Sequence, residues 1–146
     1  MAVPTAGRDI PSVFSHAELA YLHGERHLGR IATVGKDATP HVVPVGWRHN
    51  LERDTIDVSG REFDQTKKFK DVSRNGRAAI VIDDLASTNP FRPRAVEVRG
   101  RAEALFDPEP LIRIYPERII SWGLGAQRSA RTVDQIALAE GGGVDG

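Results

Sequence analysis

The sequence predicts a mainly β protein whose strands form a closed or nearly closed antiparallel barrel with short flanking helices. Three observations support this prediction. About six segments have the composition or alternation of strands, only two segments carry helix signals, and no alternation of strands with long helices indicates a parallel α/β sheet. The 146 residues fit a single domain, and a chain of this length buries roughly 68–70% of its unfolded surface.

The first element is a short helix predicted over residues 16–24. Ser15 and Glu18 have the spacing of a capping box, in which the hydroxyl and the carboxylate each bond a backbone amide at the helix start. Phe14 and Leu19 occupy the two positions of a hydrophobic staple, which fixes the direction in which the chain enters the helix. These paired signals place the helix start at residue 16.

Strand signals follow one another along the rest of the chain. The alternation in Thr55–Ser59 places Ile56 and Val58 inward and Asp57 on the opposite face. Residues 85–93 hold two prolines, an asparagine and a serine, and are predicted to form a loop. The predicted strands are 30–34, 41–47, 55–59, 78–82, 96–104 and a final strand over 111–122 that is bent at Pro116.

The chain divides into three predicted parts. Residues 1–13 are expected to form a loose N-terminal arm, residues 14–124 the barrel domain, and residues 125–146 a flexible C-terminal tail. The N-terminal residues lack the apolar stretch of a signal peptide, and no later stretch approaches the length of a transmembrane helix. A cytoplasmic location without membrane partners is therefore expected.

Composition argues against several classes of function. The 20 Lys and Arg balance the 20 Asp and Glu, whereas general nucleic-acid binding requires a strong cationic field. The absence of cysteine excludes disulfides, thiolate zinc sites and cysteine nucleophiles. No spacing of His, Asp and Glu predicts a metal site, and no catalytic triad is visible.

Although the chain has no net charge, cations cluster where a strand leads into a helix predicted over residues 63–74. Gly60 permits an unusual turn that frees backbone amides, and the helix start carries a partial positive charge. These features suit a bound phosphate, for which a hydroxyl and two ammoniums are suitable donors. From the residues alone, a solvated lysine-rich helix face is the preferred interpretation, with nearby acidic residues neutralising the cations, and the phosphate site is the alternative. The cations are Arg61, Lys67, Lys68 and Lys70, and Thr66 provides the hydroxyl.

A proline interrupts the otherwise apolar strand 41–47. Pro44 has no amide hydrogen for a ladder, so this strand must lie at a sheet edge or contain a bulge. An exposed backbone edge can hydrogen-bond a flat heterocycle, although an ordinary edge-strand proline is the better explanation when this feature is taken alone.

The ordered segments together resemble a known family. The chain contains "GRIATVGKDATPHVVPVGW", "TIDVSG", "TKKFKDVSRNGRAAIVIDD", "AVEVRGRAEAL" and "RIISWGL" in this order. Over roughly residues 14 to 124 it resembles the pyridoxamine 5'-phosphate oxidase-like split-barrel family, and most closely the branch that uses the deazaflavin coenzyme F420. The resemblance implies a homodimer of six-stranded antiparallel split β-barrels, with cofactor grooves at the dimer interface.

The resemblance also implies which residues bind the cofactor. A run of one hydroxyl and two cations holds the phosphate in related flavin-binding members, and Thr66, Lys67 and Lys68 fall on it. This chain has threonine and lysine where the oxidase has serine and arginine, and it lacks a match to the oxidase's pyridoxal-phosphate-binding residues, so oxidase activity is not expected. The remaining implied contacts are Ser59, Gly60 and Arg61 beside the phosphate, the backbone of Val43, Pro44 and Val45 at the ring, and Trp122, which either stacks at the groove across the dimer or packs in the core or interface.

The function implied by the resemblance is hydride transfer between coenzyme F420 and an unsaturated small molecule. An FMN-binding oxidoreductase on the same fold, or a non-catalytic flavin or deazaflavin binder, would share the same residues. His41 and His49 are possible proton donors, but neither is assigned a catalytic role. Arg92 and Arg94 are predicted to be solvated loop cations, with contact to a cofactor tail or an acidic substrate as the alternative.

Overall fold

The computed structural model describes residues 11–125 and 127–133. The chain forms two helices and eight strands: one helix precedes the first four strands and the other precedes the last four. A single turn of 3-10 helix, Phe63–Gln65, precedes the second helix. The helices are α1 (His16–Leu22) and α2 (Lys67–Asn75). The strands are β1 (Gly29–Val34), β2 (Pro40–Val45), β3 (Trp47–Asn50), β4 (Thr55–Ser59), β5 (Arg77–Thr88), β6 (Phe91–Leu105), β7 (Leu111–Trp122) and β8 (Ser129–Thr132).

The strands form one antiparallel sheet in the order β2-β1-β5-β6-β7-β4-β3, and β8 pairs with β7. The strands at the two ends of this order, β2 and β3, are separated in the chain by Gly46 alone. One bent segment therefore borders the sheet at both ends and curls it into a barrel. The predicted antiparallel, mainly β barrel is confirmed, with eight strands instead of six because the predicted strand 41–47 is split and β8 was not expected.

The barrel interior is filled by alternate residues of the strands. The inward side chains are mostly isoleucine and valine, whose branched shapes pack well on a pleated surface. The most deeply buried of them are Ile31, Ile56, Val58, Ile80, Ile82, Val96, Val98, Ile112, Ile114 and Ile119. The two larger cavities formed by the described residues lie beside α1 and between α2 and the strands β1 and β2.

The opposite face of β4 carries a buried ion pair. Asp57 lies there, as its alternation predicted, and is almost fully buried. Arg113 of β7 donates to both of its carboxylate oxygens, at 3.1 Å each, and Thr55 and Asn50 add further hydrogen bonds. These hydrogen bonds outweigh the effect of burial, which alone would raise the pKa of Asp57, and hold that pKa below its usual value.

The expectation that residues 85–93 form a loop was wrong. Residues 85–93 form a continuation of the β5–β6 hairpin, in which only Asn89 and Pro90 lie outside the strands. Antiparallel pairing with a register shift near Leu85 accommodates Pro93 within β6, so the prolines do not end the strands.

The sheet also extends beyond residue 124. Strand β8 lies within the segment 125–146 that was expected to be a flexible tail, and it pairs with β7 from Arg118 to Ser121. Residues 1–10 of the predicted arm, and residues 134–146 of the predicted tail, lie outside the described residues. Within the described ranges, no helix is long and apolar enough to cross a membrane.

Helix α1 begins at His16, as the sequence predicted, whereas α2 begins only at Lys67, because residues 63–65 of the predicted helix form a 3-10 turn. Ser15 and Glu18 form the complete capping box of α1, with hydrogen bonds of 3.2 and 2.9 Å. Helix α2 ends at Gly76, whose left-handed conformation (φ 73°) costs glycine little. The two helices lie at opposite ends of the long strands, since Tyr21 of α1 contacts Asp84 near the end of β5 and α2 leads directly into its start.

Candidate functional site

Helix α2 begins at Thr66, and the side chain of this residue is committed to the helix start. Its hydroxyl accepts a hydrogen bond from the amide of Phe69 at 3.3 Å and donates to the carbonyl of Phe63 at 2.6 Å. The first is the contact of an N-cap residue, and the second ties Thr66 to the preceding 3-10 turn. The hydroxyl expected to bind phosphate is therefore used to position the two lysines that follow it.

A groove of about 440 Å³ lies between α2 and the strands β1 and β2. It brings together the two lysines and the apolar edge strand that the sequence had linked only through the family resemblance. The volume lies within the range typical of small-molecule sites. Its lining residues are Ile31, Thr33, Pro40, His41, Val42, Val43, Lys67 and Lys68.

The strand side of the groove is apolar and open. Strand β2 is hydrogen-bonded to β1 and ends the strand order, so it is an edge strand, as Pro44 predicted. Val42 and Val43 are 66% and 39% exposed, which is unusual for neighbouring valines in a sheet. Val45, in contrast, is buried in the core, so its side chain does not face the groove.

The helix side of the groove carries positive charge that is only partly neutralised. The Lys67 ammonium lies 3.8 Å from the Asp71 carboxylate and is mostly exposed. The Lys68 ammonium lies 5.3 Å from the centre of the Phe63 ring, and no carboxylate of the described residues lies within 4 Å of it. Burial lowers the pKa of Lys68, because desolvation disfavours its charged form. A bound anion would supply the missing counter-charge.

Asp71 connects α2 to the strands beneath it. Its carboxylate is 1% exposed and accepts hydrogen bonds from Thr33 at 2.9 Å, His41 at 3.0 Å and Arg74 at 2.9 Å. Burial alone would raise the pKa of Asp71, but the hydrogen bonds from these three side chains hold it below its usual range. Asp71 is thus an ionised anchor that fixes the helix and the His41 ring at the groove.

From the sequence, Asp71 is only one of the acidic residues near the cation cluster, and His41 has no assigned catalytic role. Spacing could not join them, because 30 residues separate them in the chain. The pairing of Thr33 with His41 across β1 and β2 brings both beneath α2, which requires knowledge of the strand register.

Several predicted site residues do not line this groove. Ser59, Gly60 and Arg61 are exposed at the end of β4. The left-handed residue of the following turn is Glu62 (φ 48°), whereas Gly60 adopts no positive φ, so the expected role of glycine in an unusual turn was wrong. Trp122 is half-buried at the end of β7, and its place across a dimer groove stays a prediction.

A second cavity, of about 490 Å³, lies at the opposite end of the barrel, beside α1. Arg94 lines it and binds both oxygens of Asp84, at 2.9 and 2.5 Å, while the Tyr21 hydroxyl donates to the same carboxylate at 2.7 Å. Burial, followed by this hydrogen bond to a carboxylate, raises the pKa of Tyr21. Arg94 is therefore a paired strand residue, not a solvated loop cation, and Arg92 also belongs to β6.

The described part of the chain holds no group of three or more His, Asp or Glu side chains suited to a metal ion. The chemically distinctive site among the described residues is therefore the groove with its surplus cations. Its donor set matches a phosphate-bearing ligand with an apolar, planar portion.

Comparison with known proteins identifies the family and supports the fold. The chain is 37% identical over 139 residues, which are 89% of this chain and 97% of the relative, to a 5a,11a-dehydrotetracycline/5a,11a-dehydrooxytetracycline reductase of Streptomyces rimosus. It is similar in structure to an F420 reductase (TM-score 0.54, 20% identity, 68% of this chain and 94% of the other). It is also similar to a FAD binding protein from Mycobacterium smegmatis (TM-score 0.56, 23% identity, 77% and 97%). The sequence profile of pyridoxamine 5'-phosphate oxidase matches residues 15–143, and the chain belongs to that family.

Proposed function

We propose that the protein is an oxidoreductase that uses coenzyme F420 to reduce an unsaturated small molecule. The observation that carries this proposal is the groove in which Lys67 and Lys68 face the apolar edge strand β2. Support for the direction of the reaction comes from the Streptomyces rimosus relative, which is named as a reductase and matches over 97% of its length.

The groove has the properties that a deazaflavin or flavin requires. Lys68 is a partly desolvated cation without a carboxylate partner among the described residues, which is the environment that a phosphate oxygen would complete. The exposed edge of β2, with Val42 and Val43, offers apolar surface and backbone groups to a flat ring.

When bound, the reduced deazaflavin would supply the hydride, and carbon in place of the flavin N5 disfavours reaction with oxygen. The protein's own part is to bind and orient. Lys67 and Lys68 would hold the phosphate, with Thr66 fixing the helix start from which they project. The walls formed by Ile31 and Val43 would exclude water from one side of the ring.

The cofactor contacts proposed from the sequence extend beyond the groove. Ser59, Gly60, Arg61, Pro44, Val45 and Trp122 remain part of the proposal, as do the homodimer and the cytoplasmic location. The open edge of β2 and the 66% exposure of Val42 support a dimer whose second copy covers this strand.

The substrate class proposed here is a conjugated carbonyl compound, by analogy with the dehydrotetracyclines named for the relative. Reduction of such a double bond consumes one hydride and one proton. FMN is the alternative cofactor, since structural neighbours are named both as an F420 reductase and as a FAD binding protein.

The first test is a titration of the purified protein with F420 and, in parallel, with FMN, followed by acceptor reduction assays. We expect tight binding of F420, weak binding of FMN, and loss of F420 affinity in the Lys67→Ala/Lys68→Ala double variant. Each charge-assisted phosphate contact contributes about 1.5–3 kcal/mol, so losing two should lower the affinity by about a hundredfold or more. Lys70→Ala is the matched control, because Lys70 is exposed on the same helix outside the groove.

Preference for FMN would favour the flavin alternative. Tight binding without reduction of any acceptor would favour a non-catalytic binder. Unchanged F420 affinity in the double variant, or no binding of either cofactor, would remove the proposal and leave the lysines as a solvated helix face.

A further inference from the structure

His41 is the third basic side chain of the groove, and its geometry is fixed on two sides. Its Nδ1 lies 3.0 Å from Asp71, and because an ionised carboxylate only accepts, Nδ1 donates this hydrogen bond. On the other side the ring approaches the backbone of Gly35 so closely that a Cβ there would lie 2.5 Å from Cε1. The polar atom of the ring that remains for a ligand is Nε2.

The groups around His41 come from two elements besides its own strand. Helix α2 contributes Asp71, its neighbour Arg74, and the ammoniums of Lys67 and Lys68. The turn between β1 and β2 contributes Asp37, whose pKa is held below its usual value first by hydrogen bonds from Thr39 and in smaller part by the charge of His41. The side chain is 31% exposed, so a ligand in the groove can reach it.

We propose that His41 is an anion-binding residue of this groove, and that its protonation makes the affinity for a phosphate-bearing cofactor depend on pH. This inference rests on the proposed function, since it concerns the same groove. Asp71 is the positioning residue: it holds the ring through Nδ1 and stabilises the positive charge when Nε2 is protonated.

The direction of the pH effect follows from the two forms of the ring. Protonated His41 presents an N–H at Nε2 and adds one positive charge beside Lys67 and Lys68, so it attracts a phosphate oxygen. With Nδ1–H engaged by Asp71, neutral His41 presents a lone pair at Nε2, which repels the same oxygen. Affinity should therefore be highest at low pH, where the ring is protonated, and lower at high pH, where it is neutral.

The test is calorimetric titration of F420 and FMN into the full chain between about pH 5.5 and 8.5, the range in which histidine titrates. Four proteins are compared: the wild type, His41→Gln, His41→Lys, and His16→Gln as a control for an exposed histidine on α1, away from the groove. Because the ligand's own titration affects all four equally, the ratio of two Kd values at each pH isolates the contribution of His41.

We expect the wild type to bind on the order of tenfold more tightly than His41→Gln at the acidic end, which is the weight of one charge-assisted hydrogen bond. The ratio should approach one at the alkaline end. His41→Lys, with a permanent charge, should bind tightly at all pH values, and His16→Gln should follow the wild type.

A second measurement keeps the inference apart from a loss of folding. The ring resonances of His41, followed by NMR in the wild type, should shift when the cofactor is added, and thermal melting should confirm that all variants are folded. Parallel pH profiles for wild type and His41→Gln, with cofactor still bound, would overturn only the role of His41. Failure of every protein to bind either cofactor would overturn the proposed function and this inference with it.

Discussion

The two ends of the barrel each place a buried carboxylate beside a helix, and they differ in how the surrounding charges are balanced. At the α1 end, Glu18 is 0% exposed and receives hydrogen bonds from the Ser15 amide, the Ser121 hydroxyl and both terminal nitrogens of Arg131, at 2.6–2.9 Å. One carboxylate thus meets one guanidinium, and its oxygens have all the donors they can use.

At the α2 end, one carboxylate meets more cations than it can neutralise. Asp71 pairs with Arg74 at 2.9 Å and more distantly with Lys67 at 3.8 Å, while Lys68 has no carboxylate partner among the described residues. The surplus charge lies at the mouth of a groove. Balanced charges at one end indicate a structural role, and unbalanced charges at the other indicate a binding role, because a fold alone gains nothing from a partly desolvated, unpaired cation.

The largest expected change in the free energy of unfolding comes from replacing Glu18. Glu18→Ala should lower the free energy of unfolding by about 3–5 kcal/mol, the usual cost of removing one partner from a buried ion pair. Urea denaturation followed by circular dichroism measures the change. Glu117→Ala is the matched control, because its exposed carboxylate pairs with Arg77 at 3.0 Å and should contribute only about 0.2–1 kcal/mol. Equal losses in the two variants would show that burial is not what distinguishes Glu18.

The next prediction is that the stabilisation by Glu18 is lost in acid. Burial would raise the pKa of Glu18, but hydrogen bonds from Arg131, Ser121 and the Ser15 amide hold it below the ordinary value of 4.5. The unfolded chain therefore takes up this proton first as the pH falls. The stabilisation is fully present above about pH 4.5 and is lost as the pH falls through the lower, folded-state pKa.

Urea denaturation of wild type and Glu18→Gln between about pH 7 and 3 isolates this contribution, because other carboxyl groups titrate in both proteins. We expect the stability difference between them to be largest near neutral pH and to shrink in acid. A difference that stays constant over this range would contradict the lowered pKa.

The sequence predicted features that depend on neighbouring residues and missed features that depend on distant strand pairing. Local signals sufficed for the α1 capping box and for the edge position of the strand that holds Pro44, because each depends on residues within a few positions of one another. Strand β8 and the long β5–β6 hairpin were missed, since pairing with a distant or bulged partner overrides local loop propensity.

The candidate site divides in the same way. Thr66, Lys67 and Lys68 were predicted through the resemblance, and the structure places the two lysines in the groove and the threonine at the helix start. The positioning contacts among Thr33, His41 and Asp71 could not be predicted, because they depend on the register of β1 against β2 and on where α2 packs.

The smallest expected change in stability comes from replacing Lys68, and it tests directly whether the cations at the α2 end have a binding role or a structural one. Lys68→Met keeps the aliphatic part of the side chain against Phe63 and removes a cation whose pKa burial has lowered. Without cofactor, its free energy of unfolding should stay within about 0.5 kcal/mol of wild type or rise slightly, because the lost contact of the ammonium with the Phe63 ring is offset by the removal of a partly buried cation that has no carboxylate partner among the described residues. Lys67→Met, which loses the ion pair with Asp71, should instead cost a few tenths, about 0.2–0.5 kcal/mol. Paired urea denaturation curves with and without F420 measure both. A loss above about 1 kcal/mol in cofactor-free Lys68→Met would mean that this ammonium stabilises the fold as Arg131 does, and the contrast between the two ends would fail.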